Sequence, residues 1–152
     1  MTNNSLFTPL LKSNFTGSTS FQSIWLIVRI VAGVLMIHNG FDKIADISGF
    51  ADNVVAAIGL PYPVFLTYCA AYIEIVGAIL LALGFLTRLS AIALFLTMLV
   101  AIYFHIQVDG LSIRPLETAF LYALIYFLFT VNGGGLLSLD TLINQLLTRN
   151  KR

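Results

Sequence analysis

Charge is scarce in this chain. Lys, Arg, Asp and Glu together make up 10% of 152 residues, against about 25% in ordinary soluble domains. The net charge is only +1, so there is no broad basic face for nucleic acid to bind. A single cysteine, Cys69, leaves no internal disulfide, no cysteine-built metal site and no dithiol relay like that of four-helix membrane thiol oxidases. Two histidines, with no neighbouring cysteine or acidic ligand set, argue against a catalytic zinc centre. The chain has no glycine-rich phosphate loop and no serine nucleophile elbow.

What the sequence does have is apolar residues, at 59%, with a mean hydropathy of +0.93. Four runs approach the roughly 20 apolar residues that a membrane helix needs. They are Phe21 to Phe41, Val64 to Phe85, Leu89 to Ile106, and Pro115 to Val131. Lipid leaves no backbone group unpaired, so each run is read as a helix. Pro115 suits a helix start, and Gly133-Gly134-Gly135 suits a stop. The expected fold is all-α: a four-helix transmembrane bundle with short interfacial helices.

Residues 1–20, with Lys12 alone among Ser, Thr, Asn and Phe, read as a flexible tail rather than a cleaved signal. Residues 21–135 form the transmembrane domain. Residues 136–152 read as an amphipathic interfacial helix with a basic tail. Its stripe is Leu139, Leu142, Ile143, Leu146 and Leu147, and its basic cluster is drawn to anionic lipid. A partner subunit is the alternative cover for that stripe. A second short helix is expected where Phe50, Val54, Val55 and Ile58 recur before Gly59 and Pro61. Lys12, Arg88, Arg149, Lys151 and Arg152 collect on one side of the bundle. That asymmetry predicts cytoplasmic termini and a multi-pass protein of a bacterial inner membrane.

Two charges interrupt the apolar runs: Arg29 in the first and Glu74 in the second. An unpaired charge at mid-bilayer costs about 2.5–3.5 kcal/mol on insertion scales. The sequence therefore predicts that Arg29 and Glu74 pair across a tight contact between the first two helices. Gly33 and Gly40 on one helix, and Ala70, Ala71, Gly77 and Ala78 on the other, would permit close approach. Around the pair, His38, Lys43, His105 and Glu117 are candidate substrate-binding residues of a polar pocket, with Tyr72, Tyr103 and Tyr122 as walls. His38 lies nearly opposite Arg29 on an ideal helix, which sets it apart. Axial ligation of a haem by His38 and His105 is a further reading with no support beyond their depth. Cys69 is read as a packing residue.

The chain resembles the DoxX family of small four-helix membrane proteins. The likeness rests on Arg29, His38-Asn39-Gly40-Phe41-Asp42-Lys43, Gly59-Leu60-Pro61-Tyr62-Pro63 and Glu74. It continues through Gly84-Phe85-Leu86-Thr87-Arg88, Gly133-Gly134-Gly135 and Ser138-Leu139-Asp140. It implies a membrane subunit of an oxidoreductase, with a quinone as the bound group in a pocket between the first two helices. The implied partners are other membrane-complex subunits or a soluble redox enzyme, with homo-oligomers also open. Relatives that assist assembly imply the alternative, a non-enzymatic assembly factor or scaffold. A transporter has less to build on, because no inverted repeat is evident.

Overall fold

The structure, a computed structural model, describes residues 17–149. The tail before Gly17, with Lys12, and the terminal Lys151 and Arg152 lie outside the described residues. Helix α1 spans Thr19–Ala45, and α2 comprises Ile47–Phe50 continued by a π-helical turn, Ala51–Val55. Helix α3 spans Pro63–Leu83, α4 Thr87–Val108, α5 Ile113–Asn132 and α6 Leu139–Arg149. Among the described residues no strand occurs.

Local chemistry fixes the helix ends. The Ser18 hydroxyl accepts from the Phe21 N–H at 3.4 Å and opens α1. At the end of α3, Gly84 takes φ +71°, and the N–H groups of Gly84 and Phe85 turn back to the carbonyls of Leu81 and Leu80. This reversed turn satisfies two of the last carbonyls of the helix. The expected stop at Gly133 also holds: its φ is +80°, and its N–H reaches the Phe129 carbonyl at 2.8 Å.

Helices α1 and α3 pack antiparallel through small residues, as expected of Gly33, Gly40, Ala71 and Ala78, whereas Gly77 meets Leu94 of α4 and Ala70 lines a cavity. A methyl group on Gly33 would stand 2.8 Å from both the Ala78 carbonyl oxygen and the Ala82 Cβ. One on Gly40 would stand 2.6 Å from Ile75 Cγ1 and 3.0 Å from the Ala71 carbonyl oxygen. These backbones are as close as side chains permit. The contacts also set the register, with Gly40 beside Glu74 and Gly33 beside Ala82. The opening turns of α1 therefore run past the end of α3.

Between the helices lies a core that includes Met36, Ala78, Leu81, Leu94, Tyr126 and Phe129, all fully buried. The outward faces are apolar as well, with Ile27, Val34, Phe65, Val76, Leu96 and Leu121 each more than half or about half exposed. Apolar residues inside and outside suit lipid as the surrounding solvent. Helices α1, α3 and α4 are long and apolar enough to cross a membrane, and α5 is apolar over the shorter stretch Leu116–Asn132. The molecule is an all-α membrane bundle.

Candidate functional site

Helix α1 carries two charged centres, and they lie far apart along it. At the first, Arg29 is 1% exposed. Its Nε donates to the Ala82 carbonyl at 3.3 Å and its Nη2 to the Leu137 carbonyl at 2.8 Å. Nη1 donates to the carbonyl of Gly134. The guanidinium thus ties α1 to the end of α3 and to the loop after α5. Glycine is required there, because a Cβ on Gly84 would sit 2.7 Å from Arg29 Nη1. Trp25 Nε1 donates to the Gly133 carbonyl at 3.1 Å, and Gln22 Oε1 accepts from the Leu136 N–H at 2.8 Å.

Asp140 completes this knot from α6. Its two carboxylate oxygens accept from the N–H groups of Leu86 and Thr87 at 2.7 and 2.8 Å, and its own N–H donates to the Gly84 carbonyl at 2.9 Å. Leu86 stands at φ +47°, a left-handed conformation that costs a side-chain-bearing residue about 1–3 kcal/mol. The charge-assisted bonds from Asp140 offset that strain and cap α4.

The second centre lies toward the other end of α1. Lys43 Nζ meets Glu74 Oε2 at 2.6 Å, with the Glu74 side chain 1% exposed. It also lies 3.4 Å from the Asn39 carbonyl and 5.0 Å from the centre of the Phe50 ring. Glu74 sits in a π-helical turn, Ile73–Gly77, a local widening that recurs at functional positions in helices.

The predicted Arg29–Glu74 pair therefore does not form. In the observed register Arg29 faces Ala82, eight residues beyond Glu74, or about 12 Å along a helix. Both charges fall near the middle of their own helices, but α3 is offset along α1, so equal position in sequence is not equal depth. Glu74 finds Lys43 instead. The signal was present: Lys43 lies fourteen residues after Arg29, about four turns, and returns to the same face once α1 is continued to Ala45 rather than stopped at Phe41.

A cavity of about 520 Å³ opens beside the Lys43–Glu74 pair. It is not confined between the first two helices as expected, because α2, α4 and α5 also wall it. Phe50, Val54, Val55 and Ile58, the predicted stripe of the short helix, all line it. Further apolar wall comes from Leu66, Ile73, Leu96 and Met98, and polar atoms from Asn39, Thr97, Thr118 and Tyr122. Cys69 is a lining residue as well. His105 lines the cavity, and its Nδ1 lies 2.8 Å from Asp109 Oδ2.

Of the six candidate site residues, the structure thus brings Lys43, Glu74 and His105 to one cavity. Arg29 belongs to the knot. His38 is 79% exposed in its side chain and lies 3.5 Å from Asp42. Glu117 is exposed and absent from the lining. Tyr122 is in the wall, whereas Tyr72 and Tyr103 face outward. Asp140, Gln22 and Trp25 went unpredicted as partners of the glycine loops.

Fold and site together define a small helical membrane protein with a mostly apolar cavity whose wall carries the Lys43–Glu74 ion pair. The chain belongs to the DoxX family, whose model matches residues 24–107. An uncharacterized protein of Haemophilus influenzae is 34% identical over 118 residues, covering 74% of this chain and 85% of the relative. Inner membrane protein YphA of Escherichia coli is 32% identical over 122 residues, covering 76% and 86%. A Bacillus subtilis protein named "Putative oxidoreductase CatD" is 27% identical over 124 residues, covering 82% and 90%. No solved structure matches the chain.

Proposed function

We propose that this protein is a small membrane subunit of a membrane-associated oxidoreductase, and that the cavity at Lys43 and Glu74 takes the head group of a quinone. The observation that carries the reading is an ion pair between a partly buried Lys43 and a buried Glu74 in the wall of a mostly apolar cavity of about 520 Å³. That volume is within the range of small-molecule sites. A buried pair contributes little to stability by itself, and intramembrane ionisable groups mark function by default. A relative named as an oxidoreductase agrees with this class.

The lining fits such a head group. Leu66, Ile73, Leu96 and Met98 offer flat apolar contact, and Lys43 offers an N–H donor to a carbonyl oxygen. A bound quinone supplies two-electron acceptor chemistry, with the electrons coming from a partner enzyme or its substrate. The chain's own residues orient and exchange protons. Glu74 holds the Lys43 ammonium in place at 2.6 Å. Asp109 fixes Nδ1 of His105 at 2.8 Å, leaving Nε2 as the ring nitrogen that can give or take a proton. We place both termini in the cytoplasm and the bundle in a bacterial inner membrane, from the basic residues Lys12, Arg88 and Arg149.

The test is binding of a short-chain benzoquinone to the purified full chain. Lys43→Gln and Glu74→Gln are expected to weaken it about tenfold, the effect of losing one buried charge-assisted hydrogen bond. Wild-type binding in both variants, with helicity and melting retained, would remove the role given to the pair.

An assembly or scaffold role is favoured by one observation. Leu142, Leu146 and Leu147 of α6 are each more than half exposed along one stripe. A co-purifying membrane partner that is lost on deleting residues 136–152 would support it.

A further inference from the structure

A second space of about 490 Å³ lies along α1 and α5. Its walls are aliphatic: Ile27, Val31 and Leu35 from α1, with Leu121 and Ile125 from α5. Its hydroxyl-bearing residues, Thr118 and Tyr122, also line the cavity beside Lys43 and Glu74. The two spaces lie side by side, with those two residues in the wall of each. From this shared wall the groove runs back along α1 from Leu35 to Ile27, about 12 Å at the rise of an α-helix. It leads away from the Lys43 end and toward the middle of the apolar bundle.

We propose that the groove holds the isoprenoid chain of the molecule whose head group sits at Lys43 and Glu74, so that Thr118 and Tyr122 mark where head ends and tail begins. This rests on the head-group reading above and deepens it by making the ligand a single-tailed, neutral amphiphile. Charge argues for neutrality. The cation in the cavity wall, Lys43, is already matched by Glu74 at 2.6 Å. Among the described lining residues no further Lys or Arg is present to receive a phosphate. A phospholipid would bring both an anionic head and a second chain. The change of lining, from a mostly apolar cavity that carries Lys43, Glu74 and His105 to an aliphatic groove with no ionisable side chain beyond Tyr122, matches a molecule with one polar end and one branched hydrocarbon end.

Chain length alone is a poor probe, because a tail outside the groove rests in lipid of equal apolarity. Position is the better readout. A long-chain benzoquinone carrying a photoreactive diazirine on its tail is bound to the full chain in nanodiscs and cross-linked. A second probe carries the diazirine on the ring. Tail labelling is expected on peptides containing Ile27–Leu35 and Leu121–Ile125, to fall about tenfold under excess tailless benzoquinone, and to fall similarly in Glu74→Gln. Val31→Trp fills the exposed groove and is expected to lower tail labelling about tenfold while changing tailless binding less than about twofold. Ring labelling in the cavity with tail labelling elsewhere, or groove labelling that the tailless competitor leaves unchanged, overturns the inference and leaves the head-group reading standing. Absence of ring labelling from the cavity overturns both.

Discussion

Asp140 shows how much a single carboxylate organises here. It caps the first N–H groups of α4, holds Leu86 in its left-handed conformation and anchors α6 to the hinge after α3. Asp140→Ala is expected to cost about 2 kcal/mol of stability, near the upper limit for loss of a helix cap. Asp140→Asn, which keeps one acceptor oxygen, should cost about half of that. Thermal melts in detergent separate the two, and equal melting of Asp140→Ala and wild type would refute the cap. From the sequence this role was not visible. Asp140 reads as one polar position on an amphipathic wheel, and only the chain reversal at Gly133 and Gly135 brings it to the start of α4. Arg29 was legible as a buried charge needing partners, but not as one whose partners are main-chain carbonyls. Carbonyls are present at every residue and leave no trace in composition.

Among the elements, the α1–α3 seam was the most readable feature. Gly33 and Gly40 recur on one face, and the structure places both against α3 with no room for a Cβ. Replacing Gly40 by Leu puts side-chain atoms onto Ile75 and the Ala71 carbonyl. It is expected to cost at least the roughly 1–3 kcal/mol of an overpacked core and to disturb the neighbouring Glu74. Tighter or unchanged melting of Gly40→Leu would show the seam to be looser than drawn. Less readable was the end of α1. Asn39 and Gly40 resemble a stop signal, yet the helix continues to Ala45 because Gly40 is used for close packing rather than for a turn. Those extra residues carry Lys43 to Glu74. The short α2 was predicted from Phe50, Val54, Val55 and Ile58; the first three lie in it, and Ile58 falls in the turn that follows. Their apolar face, however, closes over a cavity, a destination that periodicity does not encode.

For the molecule as a whole, the proposed orientation puts the knot of Arg29, Asp140 and the glycine loops on the cytoplasmic side and the mouth of the α4–α5 turn outside. In a Cys69→Ser background, Ser112→Cys is expected to react in intact cells with a membrane-impermeant maleimide. Thr148→Cys should react only after lysis. The opposite pattern would invert the topology without touching the fold. Apolar runs, helix breaks and small-residue seams are local properties, so the bundle was largely legible from sequence. The site was legible only in its parts, because the register between α1 and α3 decides which charge meets which.

That separation of two charged centres is the central claim, and one measurement tests it directly. Binding of a short-chain benzoquinone is titrated to wild type, Lys43→Gln and Arg29→Gln, with each affinity referred to the folded fraction. The predicted result is a loss of about tenfold for Lys43→Gln and no change in intrinsic affinity for Arg29→Gln, whose cost is expected in melting alone. Equal loss in both variants, or loss confined to Arg29→Gln, would contradict the account and return the site to the guanidinium.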